Sequence, residues 1–431
     1  MSLVKVSPCR SAFAFKTDAI ASDKSISHRS VMFSMLARGE SVIENFLRAE
    51  DTMNSLRIVE KLGAKVIDDG RVIRISSAGI KESEDILDCG NSGTGIRLFC
   101  GLLASAEGHF VLTGDEYLKR RPMKRVTAPL QSIGAKLDGR HNGDLAPLSI
   151  RGASLKAFDY ESKIASAQVK SAMILAALRA DGTCTYREPE LSRDHTERML
   201  RGMGAAIRVE GLTTTIEPMK ELLSPLQIRV PADPSSAFFF AVAVAITPGA
   251  EVVLEGVTFN PTRIEAFKAL ERMGAEISYD LTEDRYEPIG TITVRHAPLK
   301  AIRVDANISW LIDELPALSI AMACATGRSE IANAEELRVK ESDRISTVVT
   351  NLRACGIEVE EYEDGYAVTG GKLKAARVDS FGDHRIAMSF VIAGLRCGME
   401  VSDVDCINTS FPNFFTLLRQ ITDIENEDKT S

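Results

Sequence analysis

The chain has 431 residues, 45% of them hydrophobic, and a formal net charge of −8. That length can bury two or three separate cores, and the acidic balance argues against a general nucleic-acid surface while leaving room for local basic pockets. The longest apolar runs, such as AFFFAVAVAI at 237–246, are too short to cross a bilayer, and the opening MSLVKVSPCRSAFAF lacks the apolar core of a secretory signal, so a cytoplasmic location with no membrane partner is expected.

In chain order, residues 3–17 read as a strand-like stretch. SDKSISHR (22–29) then opens an apolar helix, with Asp23 at the N-cap, Lys24 in the first turn and Arg29 in the second. From here the pattern repeats. Gly39, Gly108, Gly182, Gly249, Gly327 and Gly398 each follow an apolar helix-like run and precede a strand-like run, at spacings of 67 to 78 residues. Gly63, Gly134, Gly204, Gly274 and Gly356 interleave with them, each closing another helix pattern and starting a strand, as in KLGAKV and RMGAEI. Glycine past a helix is a C-cap signal, and self-similarity at one spacing predicts a repeat architecture of helix, strand, helix, strand with extra strand residues. The sixth unit stops after TSFPNFFTLLRQI without its last strand. The spare stretch 3–17 is expected to supply it, and the final ENEDKTS reads as a frayed tail. The chain is then expected to cross between two domains near 19–22 and again near 229–233, with three repeats in each.

The first helix of each repeat is core along its length and polar at its tip. The six heads are SDKSISHR, GNSGTGIR, ASAQVKSA, ADPSSAFF, LIDELPAL and GDHRIAMS. Capping by Ser, Asp and Asn accounts for DPSSAFF and part of NSGTG. It does not account for Lys24, Arg29, Arg97 or Arg385, since helix N-termini mildly disfavour cations. Free N–H groups together with cations make an anion site, so a phosphate or carboxylate is the expected guest. RRPMKR (120–125) reads either as a loop closing over an anion or as a solvated basic surface. RVKESDRI (338–345) reads as the opening of a second-series helix, placing Lys340 and Arg344 at i,i+4 and Glu341 and Arg344 at i,i+3, or as a surface ion-pair ladder. Asp313 and Glu314 are either an N-cap pair or carboxylates held ionised for proton transfer. His28, His195 and His384 have no metal-triad spacing, and Cys9, Cys89, Cys100, Cys184, Cys324, Cys355, Cys397 and Cys406 form no C-x-x-C pair. They read as reduced core thiols, and neither metal nor cofactor is expected.

DKSISHR, CGNSGTGIRL, RRPM, SAQVKSA, RVKESDR and GDHRIAM resemble, in order and across essentially the whole chain, the motifs of the 5-enolpyruvylshikimate-3-phosphate synthase family. The resemblance implies a two-domain inside-out α/β barrel of six βαβαββ-like repeats, with the active site in the interdomain cleft. Residues 21–230 would form the upper domain, and 1–20 plus 231–431 the lower one. It implies transfer of the enolpyruvyl group of phosphoenolpyruvate to the 5-hydroxyl of shikimate 3-phosphate, with release of phosphate. By resemblance, Lys24, Ser25, Arg29, Ser166, Gln168, Arg193, Asp313 and Lys340 would contact shikimate 3-phosphate. Lys24, Gly93, Arg121, Gln168, Arg344 and Arg385 would contact phosphoenolpyruvate. Asp313 would be the general base, and Glu341 with Lys24 would serve proton transfer at the methylene carbon. The family suggests a monomer that uses no nucleic acid.

Three positions depart from some relatives. Thr409 in NTSFP stands where they carry a lysine, Ala167 replaces a serine, and Glu336 replaces an asparagine and receives no role. These differences resemble the family's second class. Gly93 is the small residue of glyphosate-sensitive members, so sensitivity is expected. The nearest alternative is a UDP-N-acetylglucosamine enolpyruvyl transferase, whose loop cysteine is absent from TGDEYLKRRPMKR. An alternative of another class is a non-catalytic anion-binding repeat protein.

Overall fold

The computed structural model describes residues 2–284 and 286–427. The chain divides into two compact units: a contiguous one, residues 22–230, and a split one, residues 1–21 with 231–431.

Each unit contains three four-stranded sheets with one shared pattern. A short lead strand pairs parallel with the strand that follows the repeat's first helix. That strand pairs antiparallel with a third, which pairs antiparallel with an edge strand. In the fifth repeat these are Arg303–Val304, Arg328–Ile331, Tyr366–Thr369 and Glu358–Glu361. The second-series glycines stand directly after the C-cap of the repeat's second helix, and all five have positive φ, between 75° and 114°, which glycine adopts without strain. The first-series glycines differ from expectation. Only Gly398 ends its helix directly; Gly39 and Gly327, for example, lie in the turn between helix and strand.

The N-terminal stretch also departs from its expected use, because it is divided between two sheets. Leu3–Val6 enters the sixth sheet as its central antiparallel strand, between Met399–Ser402 and Ile424–Glu427. Ala14–Thr17 is the parallel lead strand of the fourth sheet, beside Glu251–Thr258. The sixth repeat therefore makes its own edge strand, and the residues read as a frayed tail begin inside that strand; 428–431 lie outside the described residues. In the contiguous unit the lead strand of the first sheet comes from the far end, Gln227–Arg229 beside Glu40–Glu44. An asparagine in the left-handed region locks this join: Asn45 donates from Nδ2 to the carbonyl of Val230 at 2.7 Å. Asn333 repeats the device on Asp305 at 2.8 Å.

The first helices are buried along nearly their whole length: Pro234–Ala245 and Leu315–Cys324 are apolar on almost every face, whereas Lys24–Ser34 also buries Ser27, His28, Arg29, Ser30 and Ser34. All twelve residues of Pro234–Ala245 are buried, and Phe239 and Phe240 stack edge-on with Phe411 and Phe414. Each such ring contributes about 1.5–3 kcal/mol by leaving water. In the split unit Pro234–Ala245, Leu315–Cys324 and His384–Cys397 pack against one another, with the sheets outside them. In the contiguous unit Gly93–Leu103 packs against both Lys24–Ser34 and Ala167–Ala177. The approach there is backbone on backbone: a Cβ on Gly101 would lie 2.2 Å from the carbonyl oxygen of Ala172. This inside-out layering brings the polar helix heads of one unit within reach of each other. No helix among the described residues is long and apolar enough to cross a membrane.

Candidate active site

In the contiguous unit, hydrogen bonds link all three heads. Asp23 caps the first helix by accepting from the Ile26 N–H at 2.7 Å. Lys24, the first helical residue, pairs with Asp51, a buried acid in the first turn of Glu50–Lys61. Arg29 reaches the third repeat: Nε donates to Thr196 Oγ1 at 2.7 Å and Nη2 to Ser171 Oγ at 2.8 Å, while Nη1 returns to the Ser25 carbonyl at 3.0 Å. His28 reaches the second repeat, with Nδ1 2.8 Å from Ser55 Oγ and Nε2 3.2 Å from Ser92 Oγ. Burial, then the charges of Lys24 and Arg29, hold His28 well below the ordinary imidazole range, so it is neutral.

Ser92 caps the second helix through the Gly95 N–H at 2.9 Å. The next residue, Gly93, has no Cβ because the Arg121 guanidinium occupies that space; a Cβ would lie 2.7 Å from Arg121 Nη1. Arg97 joins the second head to the third. It donates to Gln168 Oε1 at 2.5 Å and to the Pro122 carbonyl at 2.8 Å, and Gln168 Nε2 donates to Thr94 Oγ1 at 3.0 Å. Ser166 is the N-cap of the third helix. Arg193, half-buried, directly precedes Asp194, the N-cap of His195–Gly202. Lys24, Ser25, Arg29, Gly93, Arg121, Ser166 and Gln168 thus belong to one hydrogen-bonded end of this unit.

The split unit is built around Arg344, which is 1% exposed. Its guanidinium donates to Asp383 at 2.8 Å, Asp313 at 3.1 Å and Glu341 at 2.7 Å. Burial works against its charge, but the three carboxylates prevail and raise its pKa. Contrary to the sequence reading, RVKESDRI does not open a helix at its start. Asp343 is the N-cap and Arg344 the first helical residue, so Lys340 and Glu341 sit in the preceding non-helical turn. The cap is why: Asp343 accepts from the Ser346 N–H at 3.1 Å. Glu341 meets Arg344 across that turn rather than along a helix face. Burial pushes Lys340 down, and the carboxylates of Asp313 and Glu336 oppose that shift. Glu336, given no role from sequence, lies 3.9 Å from Lys340 Nζ.

Asp313 is not a cap, since Glu314 holds the N-cap position of Leu315–Cys324. Asp383 caps the sixth head through the Arg385 N–H at 2.8 Å while also holding Arg344. Arg385 is 7% exposed and its guanidinium carbon lies 5.9 Å from the Phe239 ring centroid. Its Nε and Nη1 are buried without a hydrogen-bond partner among the described residues. Buried donors left unmade are costly, and a planar guanidinium is suited to a carboxylate or phosphate. Thr409, at the missing lysine, turns its hydroxyl to the Cys406 carbonyl at 2.7 Å. Among the described residues no group of three or more His, Cys, Asp or Glu is arranged to hold a metal.

Sequence reading missed Asp51 and Asp383 as partners of Lys24 and Arg344, and counted Arg97 among the head cations of an anion site without its bonds to Gln168 and the Pro122 carbonyl. Asp383 looked like any N-cap; its only signal was adjacency to the head cation Arg385.

A family model described as EPSP synthase (3-phosphoshikimate 1-carboxyvinyltransferase) matches residues 17–418. The chain is 76% identical over 425 residues to the 3-phosphoshikimate 1-carboxyvinyltransferase of Sulfurimonas denitrificans, covering 99% of each chain. It is 61% identical to the protein of the same description from Nitratiruptor sp., covering 99% of this chain and 100% of that one. The solved EPSP synthase of Acinetobacter baumannii superposes with a TM-score of 0.88 at 38% identity, over 99% of this chain and 100% of that one. The enolpyruvyl transferase NikO of Streptomyces tendae shares the fold, with a TM-score of 0.80 at 17% identity over 99% and 98% of the two chains. The chain belongs to the EPSP synthase (3-phosphoshikimate 1-carboxyvinyltransferase) family.

Proposed function

We propose that this chain transfers the enolpyruvyl group of phosphoenolpyruvate to the 5-hydroxyl of shikimate 3-phosphate. The hydroxyl oxygen adds to the enol ether carbon as the methylene carbon takes a proton, giving a tetrahedral intermediate. Loss of that proton and of inorganic phosphate then gives the product. The reaction serves the shikimate route to aromatic amino acids.

The observation that carries this reading is the sharing of Arg344 by two carboxylates, Asp313 and Glu341. Asp313 serves as base toward the 5-hydroxyl, and Glu341 with Lys24 serves proton transfer at carbon. Positive character develops on the enolpyruvyl carbon between phosphates and carboxylates, and fixed charge stabilises it best where water is excluded. Lys24, Ser25, Arg29, Ser166, Gln168, Arg193 and Lys340 take shikimate 3-phosphate. Lys24, Gly93, Arg121, Gln168, Arg344 and Arg385 take phosphoenolpyruvate. The orphaned Nε and Nη1 of Arg385 support an anion there. We assign the chain to the cytoplasm as a monomer without nucleic-acid partners, in keeping with its net charge of −8.

Phosphate release measured with both substrates tests the reading. Release that depends on shikimate 3-phosphate supports it; release with UDP-N-acetylglucosamine instead, or none with either acceptor, refutes it. Velocity sedimentation checks the monomer.

A further inference from the structure

Lys170 is a buried cation that the reaction as described does not use. It lies one turn into Ala167–Ala177 and is 0% exposed, and Glu188 and Glu197 beside it are also buried. Its ammonium donates to Glu188 Oε1 at 2.7 Å and to the Ser192 carbonyl at 3.1 Å, and Glu197 Oε1 lies 2.9 Å away as an ion-pair partner. Ser192 Oγ donates to the other Glu188 oxygen at 2.6 Å. Burial works against the ammonium, but Glu197 and Glu188 outweigh it and raise its pKa.

Apolar side chains of similar volume often hold a core as well as a buried ion triad, or better. What the triad adds is direction. Its two hydrogen bonds and one ion pair tie three pieces of chain together, and each carries a residue assigned to shikimate 3-phosphate or to its support. The helix begins with Ser166 and Gln168. The carbonyl held in the loop belongs to the residue before Arg193. Glu197 follows Thr196, which accepts from Arg29 at 2.7 Å, and Ser171, next to Lys170, bonds both Arg29 and Thr196. We propose that Lys170, with Glu188 and Glu197, is a positioning residue for the shikimate 3-phosphate half of the site, holding Ser166, Gln168 and Arg193 in one register without touching substrate. This inference rests on the function proposed above.

The test uses Lys170→Met, Lys170→Arg and the triple variant Lys170→Met/Glu188→Gln/Glu197→Gln, which leaves no unpaired buried charge. Misplacing binding groups by about 1 Å is expected to raise KM for shikimate 3-phosphate roughly 10- to 100-fold in the methionine and triple variants. KM for phosphoenolpyruvate at saturating shikimate 3-phosphate should stay within about threefold, because uniform binding on that side is untouched. The arginine variant should recover most of the loss. Parallel rises in both KM values, or none, overturn the proposal. If the methionine variant does not fold, the triple variant decides alone; if neither folds, the triad is core structure and the proposal fails. Calorimetric titration separates the two readings. A wild-type chain that does not bind shikimate 3-phosphate sinks the proposed function. A triple variant that binds it as tightly as wild type sinks only this inference.

Discussion

The two units carry the same repeat, yet their helix heads are charged differently. In the contiguous unit Lys24 pairs with the carboxylate of Asp51, while Arg29, Arg97 and Arg121 donate to hydroxyls, an amide and carbonyls. In the split unit Arg344 is surrounded by three carboxylates, and Arg263 pairs with the N-cap Asp233 at 2.8 Å. A neutral partner cancels less of a cation's field than a carboxylate does. On the proposed function, the first set of heads receives anions and the second accepts and returns protons, with Lys24 serving both tasks and Arg385 receiving. One repeated geometry suits both tasks because the helix N-terminus favours anions in either case.

The largest break in this contrast is Asp313→Ala. Loss of a general base should lower kcat by roughly 10²–10⁴-fold, with shikimate 3-phosphate still bound in a calorimetric titration. Next is Arg344→Met, which leaves three carboxylates facing one another. We expect a loss of about 3–5 kcal/mol at neutral pH by urea denaturation, as for removing one partner of a buried pair. Arg385→Gln should do the opposite: stability held or improved, and KM for phosphoenolpyruvate raised about 10- to 100-fold by loss of a charged hydrogen bond.

Smaller changes sharpen the receiving side. Gly93→Ala would put a methyl 2.7 Å from Arg121 Nη1 and force the guanidinium aside. Glyphosate should inhibit the wild type competitively with phosphoenolpyruvate, and this variant should lose more affinity for glyphosate than for phosphoenolpyruvate. An unchanged ratio would refute the pocket argument. The smallest effect concerns acid. His28 is neutral when folded because its pKa lies well below 6.5, whereas the unfolded chain takes up a proton near 6.5. Stability is therefore full above pH 6.5 and declines as pH falls through that value, by about 1.4 kcal/mol per unit at most. His28→Gln should flatten that slope in thermal melts between pH 7 and 5.

Much of the fold was legible because a few positions demand one residue type. The second-series glycines stand directly after the helix C-caps with positive φ, and nothing else fits as well, so their spacing reported the repeat. The heads were legible because Lys24 and Arg29 break the usual charge preference of a helix start. What stayed hidden was pairing. Asp51 and Asp383 have the sequence context of ordinary helix-start acids, and only the fold shows Lys24 and Arg344 against them. Lys340 and Glu341 were placed on a helix because their spacing to Arg344 fits one, and the cap at Asp343 overrode that pattern. The division of residues 3–17 between two sheets was likewise invisible, since strand-like composition carries no address.

That division bears on how the protein is made. The first sheet's lead strand, Gln227–Arg229, closes a unit whose other strands have already left the ribosome, so the contiguous half is finished by the time residue 230 emerges. Leu3–Val6 has no strand neighbour until Met399–Ser402 appears, and at typical elongation rates of about 5–20 residues per second it waits roughly 20 to 80 seconds. During that interval the newborn chain trails an unpaired apolar strand, and chaperones that cover such segments should be found on nascent chains of this length and absent once Ile424–Glu427 has docked.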